Sequence, residues 1–273
     1  MQFIDTHTHT YFSPDGFSSP MDMCKEAVAR GLSGIAFSEH LDCHARLPFT
    51  YFYSGPVVRR YDEEGYFAAI TEAKEAFKGK LLVLSGVEIG QPQQTPLMAR
   101  AFLERTSFDI VVGSLHNIAS DLDYFTMQDF DDRPVKETID NYFQCIDTLL
   151  DFGSFDTLAH MDYMLRYATR SANYSHTFKG FEANVEQILK KLINLNILLE
   201  INTAKFEKGI IGPEPFIVKM YHDLGGKAVT FASDAHHTSN IARGFSEAAR
   251  MAKDCGITSG AYFSERNAHY YSL

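Results

Sequence analysis

Short runs of β-branched and apolar residues alternate along the chain with longer amphipathic stretches. The runs at 2–8, 34–38, 81–88, 109–115, 157–160, 197–202 and 228–232 have the length of buried strands and are bounded by turn formers or by amphipathic stretches. Between them apolar residues recur every three or four positions, as Ile188, Leu192 and Leu195 do. That spacing predicts helices near 20–30, 61–77, 96–104, 134–151, 181–195, 214–223 and 241–255. Pro20, Pro96, Pro134 and Pro213 lie at or near the starts of these segments, where a missing amide hydrogen costs nothing. Strand–helix alternation of this kind implies parallel strands joined by right-handed crossovers. An open doubly wound sheet and a closed barrel both satisfy it.

Candidate chemistry separates the two. The first strand ends in Asp5-Thr6-His7-Thr8-His9, and residues two apart on a strand share a face. The second ends in Ser38-Glu39-His40, the third in Gly86-Val87-Glu88 and the fourth in Gly113-Ser114-Leu115-His116. The fifth ends in Ala159-His160-Met161-Asp162 and the seventh in Ser233-Asp234-Ala235-His236. Taken singly, each is an ordinary polar residue at a strand end. Together they deliver His, Glu or Asp, all metal ligands, to six strand ends. Only a barrel gathers so many C-terminal strand ends around one mouth, whereas an open sheet concentrates function at one switch point. The expected fold is therefore α/β: a distorted (β/α)7 TIM-like barrel, in a single domain spanning 1–273.

A single zinc takes three or four protein ligands. The plausible set here (His7, His9, Asp15, His40, Glu88, His116, His160, Asp234 and His236) is larger and suggests two or three ions. Asp15, in Ser13-Pro14-Asp15-Gly16, is equally good turn chemistry. Paired ions clamp the attacking and leaving oxygens of an in-line displacement and acidify a bridging water, which suits phosphate ester hydrolysis. Arg166 and Lys205, with Lys208 beyond it, lie in loops past the fifth and sixth strands and can hold a phosphate. Asp234 is a candidate to orient the attacking hydroxide, and Asp162 or Asp42 to protonate the leaving group. The aromatic segment 49–60, with Tyr51, Phe52 and Tyr53, reads equally as a lid or as packing. The tail around Ala268-His269-Tyr270-Tyr271 is expected to pack on the barrel.

Composition narrows the partners. With 273 residues, 45% apolar, the chain can bury a large core, and its net charge of −10 argues against a basic nucleic-acid-binding surface. A small phosphomonoester is the expected partner, and local cations would have to attract it. Cys24, Cys43, Cys145 and Cys255 form no CxxC pair and read as reduced thiols. The N-terminal residues lack the pattern of a signal peptide, and no apolar run reaches the roughly 20 residues of a membrane helix. A cytoplasmic setting is expected.

The ordered set His7-Thr-His9, Asp15-Gly16, Glu39-His40, Glu88, Gly113-Ser-Leu-His116, His160 and Ser233-Asp-Ala-His236 resembles the polymerase-and-histidinol-phosphatase (PHP) superfamily. That resemblance implies a distorted seven-stranded barrel with a trinuclear site of zinc, iron or manganese. It would place His7, His9, Glu88 and Asp234 on the first metal, and Asp15, His40 and His236 on the second, with a hydroxide bridging the two. Glu88, His116 and His160 would hold the third. Gly-Val-Glu88-Ile-Gly and His160-Met-Asp-Tyr-Met-Leu-Arg166-Tyr look, within the superfamily, like the monofunctional histidinol-phosphate phosphatases of histidine biosynthesis. Phosphoesterases acting on nucleotide or nucleic-acid phosphates or on phosphotyrosine remain alternatives. So does a non-catalytic metal-binding module.

Overall fold

The strands are β1 (Ile4–Thr8), β2 (Gly34–Asp42), β3 (Tyr51–Ser54), β4 (Val57–Arg60), β5 (Leu82–Gly90), β6 (Ile110–Ser114), β7 (Thr157–Leu158), β8 (Leu198–Asn202), β9 (Ala228–Ala232), β10 (Ser259–Ser264) and β11 (Asn267–Ser272). The helices are α1 (Pro20–Ala29), α2 (Glu63–Ala76), α3 (Pro96–Arg105), α4 (Val135–Phe152), α5 (Leu165–Ala168), α6 (Glu182–Asn194), α7 (Pro215–Asp223) and α8 (Phe245–Asp254). This is a computed structural model that describes residues 3–46, 49, 51–54, 57–118, 125 and 128–273. Helix starts follow their local chemistry. Ser19 caps α1 by accepting from the Asp22 amide, with Pro20 at the first helical position, and Asp62 caps α2 through the Gly65 amide.

One nine-stranded sheet runs in the order β1-β2-β5-β6-β7-β8-β9-β10-β11, parallel throughout except for the final β10–β11 pair. It rolls until β1 meets the segment that follows β9. The Asp234 amide donates to the His7 carbonyl and the His9 amide to the Ala235 carbonyl, each at 2.9 Å, and Thr8 bridges Ala235. The buried Asp5 carboxylate fastens the same seam by accepting from the Ser233 and Ala242 amides. Burial raises the Asp5 carboxyl to about 6 even though these bonds oppose the shift.

The seven barrel strands, β1, β2 and β5 to β9, are largely buried on both faces, which yields two apolar clusters. Ile4, Ala36, Leu84, Ile110, Val112 and Ala159 fill the inside of the barrel, and Phe263 of β10 joins them. The larger cluster lies outside, between Ile35, Phe37, Val83 or Val87 and helix residues such as Ile70, Phe102, Leu149 and Leu189. The fold is thus the expected seven-unit TIM-like barrel with an additional hairpin. The tail does more than pack on the barrel, because β10 pairs with β9 and β11 with β10. Arg266, in their turn, reaches Asp156 at 2.6 Å and the Ser154 carbonyl, so the hairpin lies against the N-terminal end of the barrel. β3 and β4 form a small antiparallel pair within the segment read equally as a lid or as packing. The side chains of Tyr51, Phe52 and Tyr53, on which that reading rested, lie outside what the structure describes. Among the described residues no helix is long and apolar enough to cross a membrane.

Candidate metal centre

Alternation along each strand decides which side chains enter the barrel mouth. Ala36 of β2 faces the inner cluster, so His40 and Asp42 follow it inward; from Leu84 of β5 the same count leads to Glu88 and Gly90. β1 departs from this rule. Counting from inward-facing Ile4 would turn Thr6 and Thr8 into the barrel, but the pairing with β2 slips between Asp5 and Thr8. A bulge of this kind re-aims side chains. His7 and His9 consequently enter the site, while the Thr6 and Thr8 hydroxyls bond the Phe231 and Ala36 carbonyls. At two other ends the backbone itself turns, with His160 at φ 26° and Asp234 at φ 54°. Non-glycine residues hold such angles at a cost, and they cluster at functional sites.

Glu88, fully buried, is the hub. Its Oε2 lies 3.4 Å from His7 Nε2, 3.6 Å from His9 Nε2 and 2.7 Å from His40 Nδ1. Its Oε1 lies 3.1 Å from His116 Nε2 and 2.9 Å from His160 Nε2. His7 Nε2 and His9 Nε2 are 3.0 Å apart, and Asp234 Oδ1 is 3.5 Å from His9 Nε2. At the rim, Asp15 Oδ1 is 3.4 Å from His236 Nε2 and 3.7 Å from His40 Nε2. Ligands about 2.1 Å from a shared cation sit roughly 3.0–3.4 Å from one another in octahedral or tetrahedral arrangements. Most of these separations fall in or near that range. Among the described residues, the sets His7-His9-Glu88, Glu88-His116-His160, His9-His40-His236 and His40-Asp42-His116 each have ligand atoms within 4.8 Å of one another.

Hydrogen bonding on the far side of the rings fixes which nitrogens are bare. His7 Nδ1 meets Glu200 Oε2 at 2.9 Å, His116 Nδ1 meets Asp42 Oδ1 at 2.8 Å, and His236 Nδ1 meets the Asp234 carbonyl at 2.9 Å. Each acceptor holds a proton on Nδ1, so Nε2 is the nitrogen that turns toward the cluster and that a cation would take in place of a proton. His9 Nδ1 faces Ser13 Oγ at 3.1 Å, and that hydroxyl gives its own proton to Glu39 Oε2 at 2.6 Å, so it too accepts from the ring. Four imidazoles therefore present Nε2 to the cluster. Asp15 Oδ1, Glu88 Oε2, His40 Nδ1 and His236 Nε2 are buried without any hydrogen bond. The short His40–Glu88 approach thus lies off the hydrogen-bonding direction. Orphaned donors of this type, converging from several strands, fit divalent cations.

Electrostatics point the same way. Burial would push the Glu88 carboxyl up, but His40, His116 and His7 outweigh it and hold it well below the ordinary range. Asp234 is likewise held low against burial by the His9 contact and nearby imidazoles, and Asp15 by His236 and His40. Conversely, burial lowers the His7 and His236 rings, yet the facing carboxylates raise both, His236 to about 9. Carboxylate charge concentrated in a buried pocket attracts cations.

All nine residues expected as ligands reach this cluster or its rim. Arg166, stacked at 5.3 Å on the Tyr163 ring, donates to Asp234 Oδ2 at 3.2 Å and to Asn202 Oδ1 at 2.8 Å. Lys205 is half-buried beside it, its ammonium pK lowered by burial and by the Arg166 charge. Lys208 is exposed. Asp162 Oδ1 is buried and unpartnered, and the carboxylate lies against Gly212. Glu200, Asn202, Gln91 and Ser13, to which strand-end spacing assigns no role, all brace the site. The acidic residue inside the otherwise apolar run Leu198-Leu199-Glu200-Ile201 was the available signal for Glu200. Asp42, weighed as a proton donor, is nearly buried, and its Oδ1 contacts both His116 and the Gln91 amide. Gly90 makes room for it, since a Cβ there would lie 1.7 Å from Asp42 Oδ1 and 3.1 Å from His116 Nδ1. Gly90→Ala is expected to displace Asp42, release His116 and lower activity about 10–100-fold, as read from steady-state kinetics with metal content measured in parallel.

Residues 5–204 match the PHP domain family. A chain of Clostridium acetobutylicum named "Probable histidinol-phosphatase" is 30% identical over 272 residues, covering 98% of this chain and 99% of that one. A histidinol-phosphatase of Lactococcus lactis subsp. lactis is 28% identical, over 97% and 95% of the two chains. In three dimensions the chain is similar to the histidinol phosphate phosphatase of Lactococcus lactis subsp. lactis complexed with zinc, L-histidinol and phosphate. The TM-score is 0.80, with 24% identity and 98% and 99% of the two chains covered. Sequence match and barrel architecture agree, and the chain belongs to the PHP domain family.

Proposed function

We propose that the chain hydrolyses L-histidinol phosphate to L-histidinol and phosphate at a centre of three divalent metal ions, with zinc, iron and manganese all suited to its ligands. The observation that carries this reading is the convergence of Nε2 lone pairs and carboxylate oxygens on Glu88. Similarity to histidinol-phosphatases along almost the whole chain supports the substrate. His7, His9, Glu88 and Asp234 would hold one ion, Asp15, His40 and His236 a second, and Glu88, His116 and His160 a third. Bound there, the ions would supply Lewis-acid polarisation of the phosphoryl oxygens and a water acidic enough to ionise near neutral pH.

The chain's own groups do the rest. Arg166 presents a buried, oriented guanidinium beside Asp234, and Lys205 places a second positive charge nearby, which together suit a phosphoryl group. Asp234 sits where it can orient the attacking oxygen. Asp162, with a buried and unpartnered Oδ1, is the group we assign to proton transfer at the leaving alcohol. The unit is one domain, because the site draws on residues from His7 to His236, and the likeness to histidinol-phosphatases supports a small phosphomonoester substrate and a cytoplasmic setting.

Phosphate release from L-histidinol phosphate, a nucleoside 3′,5′-bisphosphate and a phosphotyrosyl peptide, compared side by side, tests the substrate. The highest kcat/KM is expected for L-histidinol phosphate, and a preference for either of the others would replace this reading. Arg166→Ala is expected to raise KM about 10–100-fold, the equivalent of losing charge-assisted bonds worth about 1.5–3 kcal/mol. Steady-state kinetics at saturating metal reads this directly.

A further inference from the structure

A closed circuit of hydrogen bonds runs behind the candidate ligands and is centred on β8. Glu200, fully buried, bonds His7 Nδ1 at 2.9 Å through Oε2. Its Oε1 accepts from the His160 amide at 3.0 Å and from Asn202 Nδ2 at 2.8 Å. Asn202 Oδ1 in turn accepts from Arg166 Nη2 at 2.8 Å, and Arg166 Nη1 donates to Asp234 Oδ2. The Asp234 amide closes the loop on the His7 carbonyl at 2.9 Å. A carboxylate in the centre of a barrel costs a great deal unless every lone pair has a use. Here the Glu200 oxygens are met by an imidazole, a backbone amide and a side-chain amide.

We infer that Glu200 is a positioning residue that serves both halves of the reaction. It fixes the proton of His7 on Nδ1, so that Nε2 faces the metal cluster, and through Asn202 it aims Arg166 at the phosphoryl position. This rests on the metal-dependent reading above. Glutamine has the same shape but cannot replace it. Its NH2 group would face either His160 N–H and Asn202 Nδ2, which are both donors, or His7 Nδ1. In the second case the ring must accept at Nδ1 and carry its proton on Nε2, the nitrogen needed for the metal. Asn202 separates the two tasks, because removing it takes away one of the two hydrogen-bond partners of Arg166 while leaving Glu200 on His7.

Zinc affinity by chelator competition, kinetics on L-histidinol phosphate and imidazole-nitrogen NMR of the full chain test the inference. Glu200→Gln is expected to weaken zinc binding and lower kcat by about 10–100-fold. Asn202→Ala is expected to keep zinc affinity within about twofold of wild type while raising KM by about tenfold. In zinc-loaded wild-type protein the His7 proton is expected on Nδ1, a readout that survives even if the Glu200→Gln variant fails to fold. Wild-type zinc affinity and kcat in Glu200→Gln overturns the inference while leaving the metal-dependent reading intact, and a His7 proton on Nε2 overturns it and removes His7 from the ligand set. Wild-type protein that binds no zinc overturns both.

Discussion

Replacing Glu88 by glutamine is expected to strip the protein of metal and to lower kcat/KM on L-histidinol phosphate by about a thousandfold or more. This is the scale of losing several kcal/mol of transition-state charge stabilisation. Glu88 is the hub because both of its oxygens face ring nitrogens. Oε2 faces His7, His9 and His40, and Oε1 faces His116 and His160. An amide keeps the volume but removes the charge on which five imidazoles converge. It also presents an NH2 group to ring nitrogens whose lone pairs are meant for cations, so the substituted side chain would hydrogen-bond to them and occupy the site. The barrel should survive, since no apolar contact is lost and the imidazoles left without their counter-charge can shed their protons. Elemental analysis and phosphate release on one preparation check this. A Glu88→Gln protein with wild-type metal content and turnover would refute the role given to Glu88.

Stripping divalent ions from the wild-type protein with a strong chelator is expected to abolish turnover and to lower the unfolding temperature by roughly 10 °C, with zinc restoring both. The stability effect follows from linkage. Ions that bind only the folded state at a thousand times their dissociation constant add about 4 kcal/mol, and each kcal/mol moves the midpoint of a chain this size by about 2–4 °C. The stripped site keeps Asp15, Glu88 and Asp234 among imidazoles and leaves several buried polar atoms without partners. Acidification acts in the same direction, because protons compete with metal for each Nε2. Calorimetry with and without chelator, alongside the phosphatase assay, measures both effects. Unchanged activity after verified removal of metal would contradict the mechanism.

Much of this site was legible before the structure because ligand chemistry repeats at strand ends. His7 and His9 share a face wherever the strand runs, so their pairing was readable from spacing alone. Which face they share was not. Alternation from Ile4 favours Thr6 and Thr8, and only the slip in pairing with β2 reverses it. The turns at His160 and Asp234 are equally silent, because His and Asp tolerate a positive φ better than most residues but adopt it too seldom for the sequence to mark where. Glu200 lay in a strand that was correctly expected, and an acid within an apolar run was the one mark it left, which does not say what a buried acid braces. The β10–β11 hairpin escaped notice for a specific reason. Its turn places Glu265 and Arg266 at φ 50° and 62°, positions that Asn-Gly or Asp-Gly would have advertised.

Anomalous scattering from crystals grown with zinc is the most direct examination of the whole account. The expected result is cation peaks on both oxygens of Glu88, about 2.0–2.2 Å from them, each also within bonding distance of histidine Nε2 atoms from at least two strands. An ordered site with zinc in the medium and no peak beside Glu88, its imidazoles instead hydrogen-bonded to one another, would contradict it.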